Sequence, residues 1–563
     1  MPTFLLPALF WGATTVWMVY ATRRILRHLL FFQIEEYDNA RFARLLAQNL
    51  TRVLTAAEII SVCGLAGAYG LGLALLPYET SAACAAPFLL LWAAIYGALL
   101  AFRPVPPAKK PLVLTPRATR LLVTGGVLTC ALFVIASLLI THGALLSRGN
   151  TLHVAALPVL ALFALIVDQG IGLIVIAANV VMYPIEASFR RYYVRSATRI
   201  MQRQPHIQVV AVTGSYGKTS TKEIIAHVLS SRYRVLKTPR SFNTLMGICK
   251  VIREDLQPDH EVFVVEMGAY TPGEIDRLCK LTPPHIGVLT AIGPQHLERF
   301  RTIERVAEAK YELLANLGPD GSGIFNGDDP HCAALANRPA VFRVCRYGMN
   351  RNGTPLDVWA TNVEITAQGT EFDVFTATGA TAHFFTALLG EHNVSNILAA
   401  TSVALRCGLT LQDIGGAVAT LEPVEHRLQR IEGAGGVTVI DDAYNANPAG
   451  VRMALDVLDK VPGGRKVLIT PGMVELGTHE QQEHRQMGTL AAKICDYVIL
   501  VGPKRTQAIA DGLLATGFPP DRLAVVQTLD EATRHLQTFV RPGDVVLFEN
   551  DLPDTQSTDT IYF

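Results

Sequence analysis

Residues 209–222 read VVAVTGSYGKTSTK. A short β-branched run closes on Gly214, and KTSTKEIIAHVLSS (218–231) carries apolar residues at helical spacing. The stretch therefore predicts a buried parallel strand, a glycine turn and a helix. That layout cradles phosphate: backbone N–H groups and the helix N-terminus face the anion, Lys218 adds a charge, and Thr219 offers a hydroxyl to Mg2+. The spacing is unusual. The common phosphate loop, G-x-x-x-x-G-K-[ST], needs glycine at position 212, where the chain has Val212, and Gly214 and Gly217 stand only three apart. On spacing alone, a glycine turn before an ordinary helix remains open as the other reading.

Outward from the loop, the 563 residues are half hydrophobic and only 17% charged, an average that conceals two regimes. Residues 1–185 are rich in Leu, Ala, Val and Ile with clustered arginines, and the remainder has ordinary globular composition. A net charge of +1 gives no footprint for nucleic acid. Nine scattered cysteines without a C-x-x-C pair indicate neither a zinc site nor a disulfide framework, and a reducing cytosol suits the C-terminal part.

Five apolar segments approach or exceed the length of a bilayer crossing: Thr3–Ala21, Thr55–Leu76, Ser81–Phe102, Leu121–Thr141 and Leu157–Tyr183. The first lacks the basic start and small-residue cleavage site of a signal peptide. Arg23, Arg24, Arg27, Arg41, Arg44 and Arg52 follow segment one, and Arg103, Lys109, Lys110 and Arg117 follow segment three. Arg190, Arg191, Arg195 and Arg199 follow segment five, whereas the alternate loops carry at most Arg148. The positive-inside rule places the N-terminus outside and everything after residue 185 in the cytoplasm of a multi-pass membrane protein. The last segment contains Asp168, Gln169 and Gly170 and also reads as two short helices. A sixth crossing would put the C-terminal part outside, away from ATP, so one long tilted crossing is expected. Asp168 is either functional or packed against neighbouring helices. FFQIEEYDNARFARLLAQNL (31–50) predicts an amphipathic cytoplasmic helix.

Downstream of the loop come SFNTLMG (241–247), VVEMGAYTPGEI (264–275), IGPQHLERF (292–300), AEAKYELL (307–314) and FNGDD (325–329). GEHNVSNILAA (390–400), EHRLQ (425–429), DDAYNANP (441–448) and GMVELG (472–477) follow in turn. In this order, over about residues 205–550, the blocks closely resemble the Mur ligases, nearest to their MurF branch. The Mur loop has this same compact T-G-x-x-G-K-[ST] form. The resemblance implies amide-bond formation driven by ATP: a carboxylate attacks the γ-phosphorus to give an acyl phosphate, and an amine then displaces phosphate.

It also implies site residues. Thr213, Gly214, Ser215, Tyr216, Gly217, Lys218, Thr219 and Ser220 would hold the nucleotide. Thr219 and Glu266, at the end of the strand-like HEVFVVE, would bind Mg2+, a hard ion suited to oxygen ligands. His296 would contact a second Mg2+, and Lys310 would be carbamylated and so become an anionic metal ligand. Asn326 would meet the adenine, Arg427 would approach the phosphates on domain closure, and Asp442 would lie near the ribose. Asn393, Asn396, Tyr444, Asn445 and Asn447 would flank the cleft. Lys218, His296, Lys310 and Arg427 form the expected catalytic set.

Three departures stand against the family pattern. Five membrane spans take the place of the soluble domain that holds the nucleotide-sugar end of the acceptor. Ala291 stands where asparagine is usual. ITPGMVELG and VVLFENDLPDTQ replace LGDM-ELG and VLVKGS in the domain that receives the amine, so D-alanyl-D-alanine does not carry over. The expected architecture is a five-helix transmembrane region (1–185), a cytoplasmic linker helix (186–204), a central P-loop α/β domain (205–424) and a Rossmann-like α/β C-terminal domain (425–563). The expected partners are ATP, Mg2+ (up to two ions), a lipid-linked or nucleotide-linked peptide carboxylate, an amino acid or short peptide amine, and membrane lipid, with no nucleic acid. A CapB-type polyglutamate synthetase, an ATP-driven transporter and an inactive scaffold remain the alternatives.

Overall fold

The computed structural model describes residues 5–50, 56–75, 83–102, 112–146, 151–239, 242–293, 300–349, 355–366, 368–423, 426–443, 446–474, 476 and 479–550. The chain divides into two units, Met1–Phe189 and Arg190–Leu552, each with its own core.

Near-continuous apolar runs leave most helices of the first unit without a solvent-facing stripe, and all of its described elements are helices. Its elements are α1 (Leu5–Ile34), α2 (Asn39–Gln48), α3 (Ala56–Leu75), α4 (Ala85–Phe102), α5 (Pro116–Leu146), α6 (Thr151–Gln169) and α7 (Ile171–Gln202). By length and composition α1, α3, α4, residues 116–140 of α5, and α7 are able to cross a membrane, and α6 adds a shorter apolar stretch over 156–169. α2 is the predicted amphipathic helix. Asp38 caps it by accepting from the Arg41 amide, and Phe42 and Leu46 are its buried face.

One expectation changes. The single span over 157–183 is interrupted at Gly170, so two helices replace one. The buried face nevertheless keeps its phase across the break, through Ala161, Leu165, Asp168, Ile171, Val175, Ala178 and Met182. Glycine, a poor helix former, is a natural place for the interruption. Residues 186–202 of the expected linker helix (186–204) are helical and continue α7 without a break.

Two buried carboxyls in this unit, Asp168 and Glu58, are held by donors. Asp168 accepts from Trp17 Nε1 and Tyr96 Oη, both at 2.8 Å. Glu58 lies 3.3 Å from the Arg24 guanidinium and accepts from Tyr20 at 3.1 Å. Removing one partner of such a pair leaves the other charge in an apolar interior. Glu58→Leu is therefore expected to destabilise the unit by about 3–5 kcal/mol, and Arg24→Met added to it to recover most of that loss. Thermal unfolding of the detergent-solubilised chain, followed by its helical signal, checks both.

The second unit contains two sheets. The first is ordered β2-β3-β1-β4-β5-β6-β7-β8-β9, parallel from β2 to β7 and antiparallel beyond. Its strands are β1 (Gln208–Thr213), β2 (Val235–Lys237), β3 (Val262–Glu266), β4 (Ile286–Leu289), β5 (Ser322–Asn326), β6 (Arg343–Gly348), β7 (Val358–Ile365), β8 (Thr370–Thr376) and β9 (Thr381–Thr386). β1, β3 and β4 are buried on both faces, as parallel strands covered by helices must be. Val212 pairs with Glu266 and Thr213 with Leu289, so β1, β3 and β4 end together at one edge.

The second sheet is ordered β10-β11-β15-β12-β13-β14. Its strands are β10 (Gln429–Glu432), β11 (Thr438–Asp442), β12 (Lys466–Thr470), β13 (Tyr497–Val501), β14 (Leu523–Val526) and β15 (Val545–Glu549), all parallel except β10. The β-α alternation of this half reads as an open Rossmann-like sheet.

Candidate active site

Beyond Thr213 the chain turns through Gly214 (φ +153°) and Gly217 (φ +78°) into α8 (Lys218–Ser230). Both glycines are required. A Cβ on Gly214 would overlap Thr290 Oγ1, and one on Gly217 would come within 2.9 Å of Asn396 Oδ1. The loop is tied down on its outer side: the Ser215 amide donates to Ala291 O (2.6 Å), and Thr290 Oγ1 donates to Tyr216 O. Ala291 thus contributes through its backbone, whatever its side chain lacks. Among the described residues, the N–H groups of Tyr216 through Ser220 meet no protein acceptor. They form a ready anion cradle at a helix N-terminus.

Lys218 closes the cradle. Its ammonium donates to the loop carbonyls of Gly214 (2.8 Å) and Ser215 (3.0 Å). Burial pushes it down to about 8, with Glu266 opposing and the Arg427 charge adding to the shift. Arg427, from the C-terminal half, is therefore close enough to act on the loop. Tyr216 receives charge from the same half. Burial raises its phenol to about 12, Glu483 adds to the shift and Arg452 opposes it.

Glu266 sits at the end of β3, almost wholly buried, with both oxygens engaged. Thr219 Oγ1 donates to Oε2 at 2.9 Å, Asn243 Nδ2 donates to Oε1 at 3.0 Å, and the Lys222 ammonium lies 3.7 Å away. A hydroxyl and a carboxylate joined beside a phosphate cradle fit a hard divalent ion that keeps several waters. Lys310, on the helix Ile303–Ala315, is buried and has no hydrogen-bond or ion-pair partner among the described residues. Burial, reinforced by Lys218, pushes its ammonium down to about 7, against Glu274, Glu266 and Glu312. Lys218, Thr219, Glu266 and Lys310 thus come together at the ends of β1 and β3.

The remaining predicted residues are placed as follows. Asn326 donates to Thr290 O (2.9 Å) and accepts from the Asp328 amide, so its amide group braces the loop. Asn393 donates to Leu389 O, and Asn396 accepts from Thr221 Oγ1 behind the loop. Asn447 caps the helix Pro448–Lys460. Thr213 Oγ1 bonds Met267 O, the Ser215 hydroxyl bonds Gly293, and Ser220 is half-buried. Asp442 ends β11, and burial raises it to about 6, with the Leu428 amide and Arg427 opposing. His296, Tyr444 and Asn445 lie outside the described residues.

The sequence reading passed over Asn243, Lys222, Thr290 and Glu549. Asn243 and Lys222 sit inside quoted motifs, and Lys222 is one helical turn beyond Lys218, where an i, i+4 partner shares its face. Thr290 and Glu549 become visible only through strand register.

Two outcomes follow for the loop. Gly214→Ala is expected to cost about 1–3 kcal/mol of stability, read by thermal unfolding, and to abolish ADP binding. Phosphate oxygens restore the Lys218 ammonium, so nucleotide binding takes up protons near pH 8 and weakens as pH rises through that value. Calorimetry of ADP binding in buffers of different ionisation enthalpy reads the uptake, and Lys218→Met removes it.

Residues 212–404 match the family model of the Mur ligase middle domain, and residues 426–549 that of the Mur ligase glutamate ligase domain. The chain is 35% identical over 361 residues to the UDP-N-acetylmuramoyl-tripeptide–D-alanyl-D-alanine ligase of Mycobacterium bovis, covering 61% of this chain and 70% of that protein. It is 34% identical over 345 residues to the protein of the same name from Bacillus subtilis, covering 61% and 72%. Among solved structures, MurF from Acinetobacter baumannii is similar with a TM-score of 0.58 and 30% identity, over 65% of this chain and 78% of that one. MurF ligase from Thermotoga maritima in complex with ADP gives a TM-score of 0.58 and 26% identity, over 66% and 82%. With its compact phosphate loop, its match to both Mur ligase domain models and 35% identity to relatives it covers by 70%, the chain belongs to the Mur ligase family.

Proposed function

We propose that this chain is an ATP-dependent amide ligase that joins an amine to a peptide carboxylate of a cell-envelope precursor at a membrane. The observation that carries this reading is the meeting of Lys218, the Thr219–Glu266 pair and buried Lys310 at one sheet edge, beside free loop amides. Phosphoryl transfer needs positioning and charge neutralisation more than covalent chemistry, and this edge supplies both. The loop amides and Lys218 hold the phosphates of ATP, with Arg427 adding charge from the C-terminal half. Thr219 and Glu266 would hold Mg2+, which neutralises the phosphate oxygens when bound. The acceptor carboxylate attacks the γ-phosphorus and ADP leaves. The neutral amine then attacks the acyl carbon, phosphate leaves with the C–O electron pair, and the amine's proton is lost to solvent.

Lys310 is suited to carbamylation. Addition to CO2 requires the neutral amine, and a lysine held near about 7 presents a large neutral fraction at physiological pH. The resulting carbamate would turn a buried cation into an anion next to Glu266 and Lys218.

The apolar helices support the membrane half of the reading. They occupy the part of the chain that precedes the family match, and the arginine-rich loops orient the catalytic unit to the cytoplasm with the N-terminus outside. A lipid-linked acceptor, or one whose carboxylate lies at the bilayer surface, fits such a protein. The relatives are named for a nucleotide-linked tripeptide and D-alanyl-D-alanine.

Phosphate release by the detergent-solubilised chain is expected only when ATP, a peptide carboxylate and an amine are all present, with the new amide visible by mass. ATP hydrolysis indifferent to both co-substrates would favour a transporter. Lys310→Ala is expected to lower turnover by about two orders of magnitude while keeping ADP binding. After incubation with 13C-bicarbonate, a carbamate carbon resonance should be present in the parent chain and absent from the variant.

A further inference from the structure

α8 carries a second buried lysine that no step above uses. Lys222 stands one helical turn beyond Lys218. Lys218 reaches the loop carbonyls, whereas Lys222 turns inward and is 0% exposed. An ammonium so enclosed is costly without carboxylates around it. Two stand beside it: Lys222 Nζ lies 3.0 Å from Glu223 Oε1 and 3.7 Å from Glu266 Oε2.

These two carboxylates differ in how they are held. Glu266 is fixed from several sides. Its amide donates to Thr238 Oγ1 at 3.1 Å, and Asn243 donates to Oε1. Thr219 donates to Oε2, the same oxygen that Lys222 approaches. Glu223 is the next residue of α8 and only partly buried, and its Oε2 takes the Lys237 ammonium from the end of β2. Lys237, Glu223, Lys222 and Glu266 therefore form a line of alternating charge that ends on the Thr219–Glu266 pair. The line gives most easily at Lys222, whose ammonium rides on a flexible four-carbon stem and already has the closer partner in Glu223.

In the ligase reading, Thr219 and Glu266 would hold Mg2+. A divalent ion at that pair shares a carboxylate oxygen with the Lys222 ammonium, and like charges held this close in a buried place repel. Nucleotide phosphates bring the negative charge that offsets the repulsion.

We propose that Lys222 is a positioning residue, the resident counter-charge of Glu266. Before nucleotide binds, its ammonium balances the carboxylate and keeps divalent ions from binding firmly. When Mg2+ enters with ATP, the ammonium leans onto Glu223. The site thus takes its metal together with the nucleotide and not ahead of it. This role rests on the Mg2+ placement in the ligase reading above.

The test titrates the full detergent-solubilised chain with Mn2+ in the absence of nucleotide, counting free Mn2+ by electron paramagnetic resonance. Lys222→Met is expected to bind Mn2+ at least about tenfold more tightly than the parent chain, because the competing cation is gone. A merely structural lysine would give the opposite sign, since its loss would disorder Glu266. Glu223→Gln is expected to weaken Mn2+ binding in the parent chain, where Lys222 then has Glu266 alone, and to have a smaller effect in the Lys222→Met background. Lys222→Gln supplies a second variant should Lys222→Met fail to fold. Affinity unchanged or weakened on removing the Lys222 charge, or a Glu223→Gln effect equal in both backgrounds, overturns this inference and leaves the ligase reading standing. Mn2+ binding that survives Glu266→Gln overturns the metal placement as well.

Discussion

The hydrogen bond from Thr219 to Glu266 joins the first turn of α8 to the end of β3, and the catalytic geometry depends on it. It forms only because β1 and β3 run parallel in a register that sets Val212 against Glu266, which brings the two strand ends level. Asn243 and Lys222 approach the same carboxylate from other directions, so its position is over-determined. Behind the loop, Thr290 and Asn326 hold the turn, and Gly214 permits the close approach of β4 that this requires. The N–H groups of Tyr216 through Ser220 are left pointing outward as a consequence. The cradle is a by-product of how tightly the loop is braced from behind.

Electrostatics complete the arrangement. Two lysines are depressed by burial, Lys218 further by Arg427 and Lys310 further by Lys218, although Glu266 opposes both shifts and Glu274 and Glu312 oppose that of Lys310. A site with this excess of strained positive charge gains when phosphate enters, which couples nucleotide binding to protonation. The other sheet also holds perturbed groups. Half-buried Asp442 and buried Glu549 are joined by a side-chain hydrogen bond, and burial pushes both carboxyls upward.

Much of this was legible in the sequence because it is local. The strand, glycine turn and helix of 209–230 follow from β-branching, Gly214 and a 3.6-residue period, and the structure contains each. The apolar helices were legible for the same reason. Gly170 shows the limit: hydropathy sees one apolar run, whereas the hydrogen-bond ladder breaks inside it. Tertiary partners were not legible. That Asn326 braces the Thr290 carbonyl, or that Glu549 lies against Asp442 across more than a hundred residues, depends on strand order, which no local pattern encodes.

The central claim is that ATP activates a carboxylate as its acyl phosphate. Oxygen transfer tests it most directly. With 18O in the acceptor carboxylate, turnover in the presence of an amine is predicted to release inorganic phosphate bearing one 18O atom, because the bridging oxygen leaves with phosphorus. Unlabelled phosphate, or AMP and pyrophosphate in place of ADP, would contradict the account.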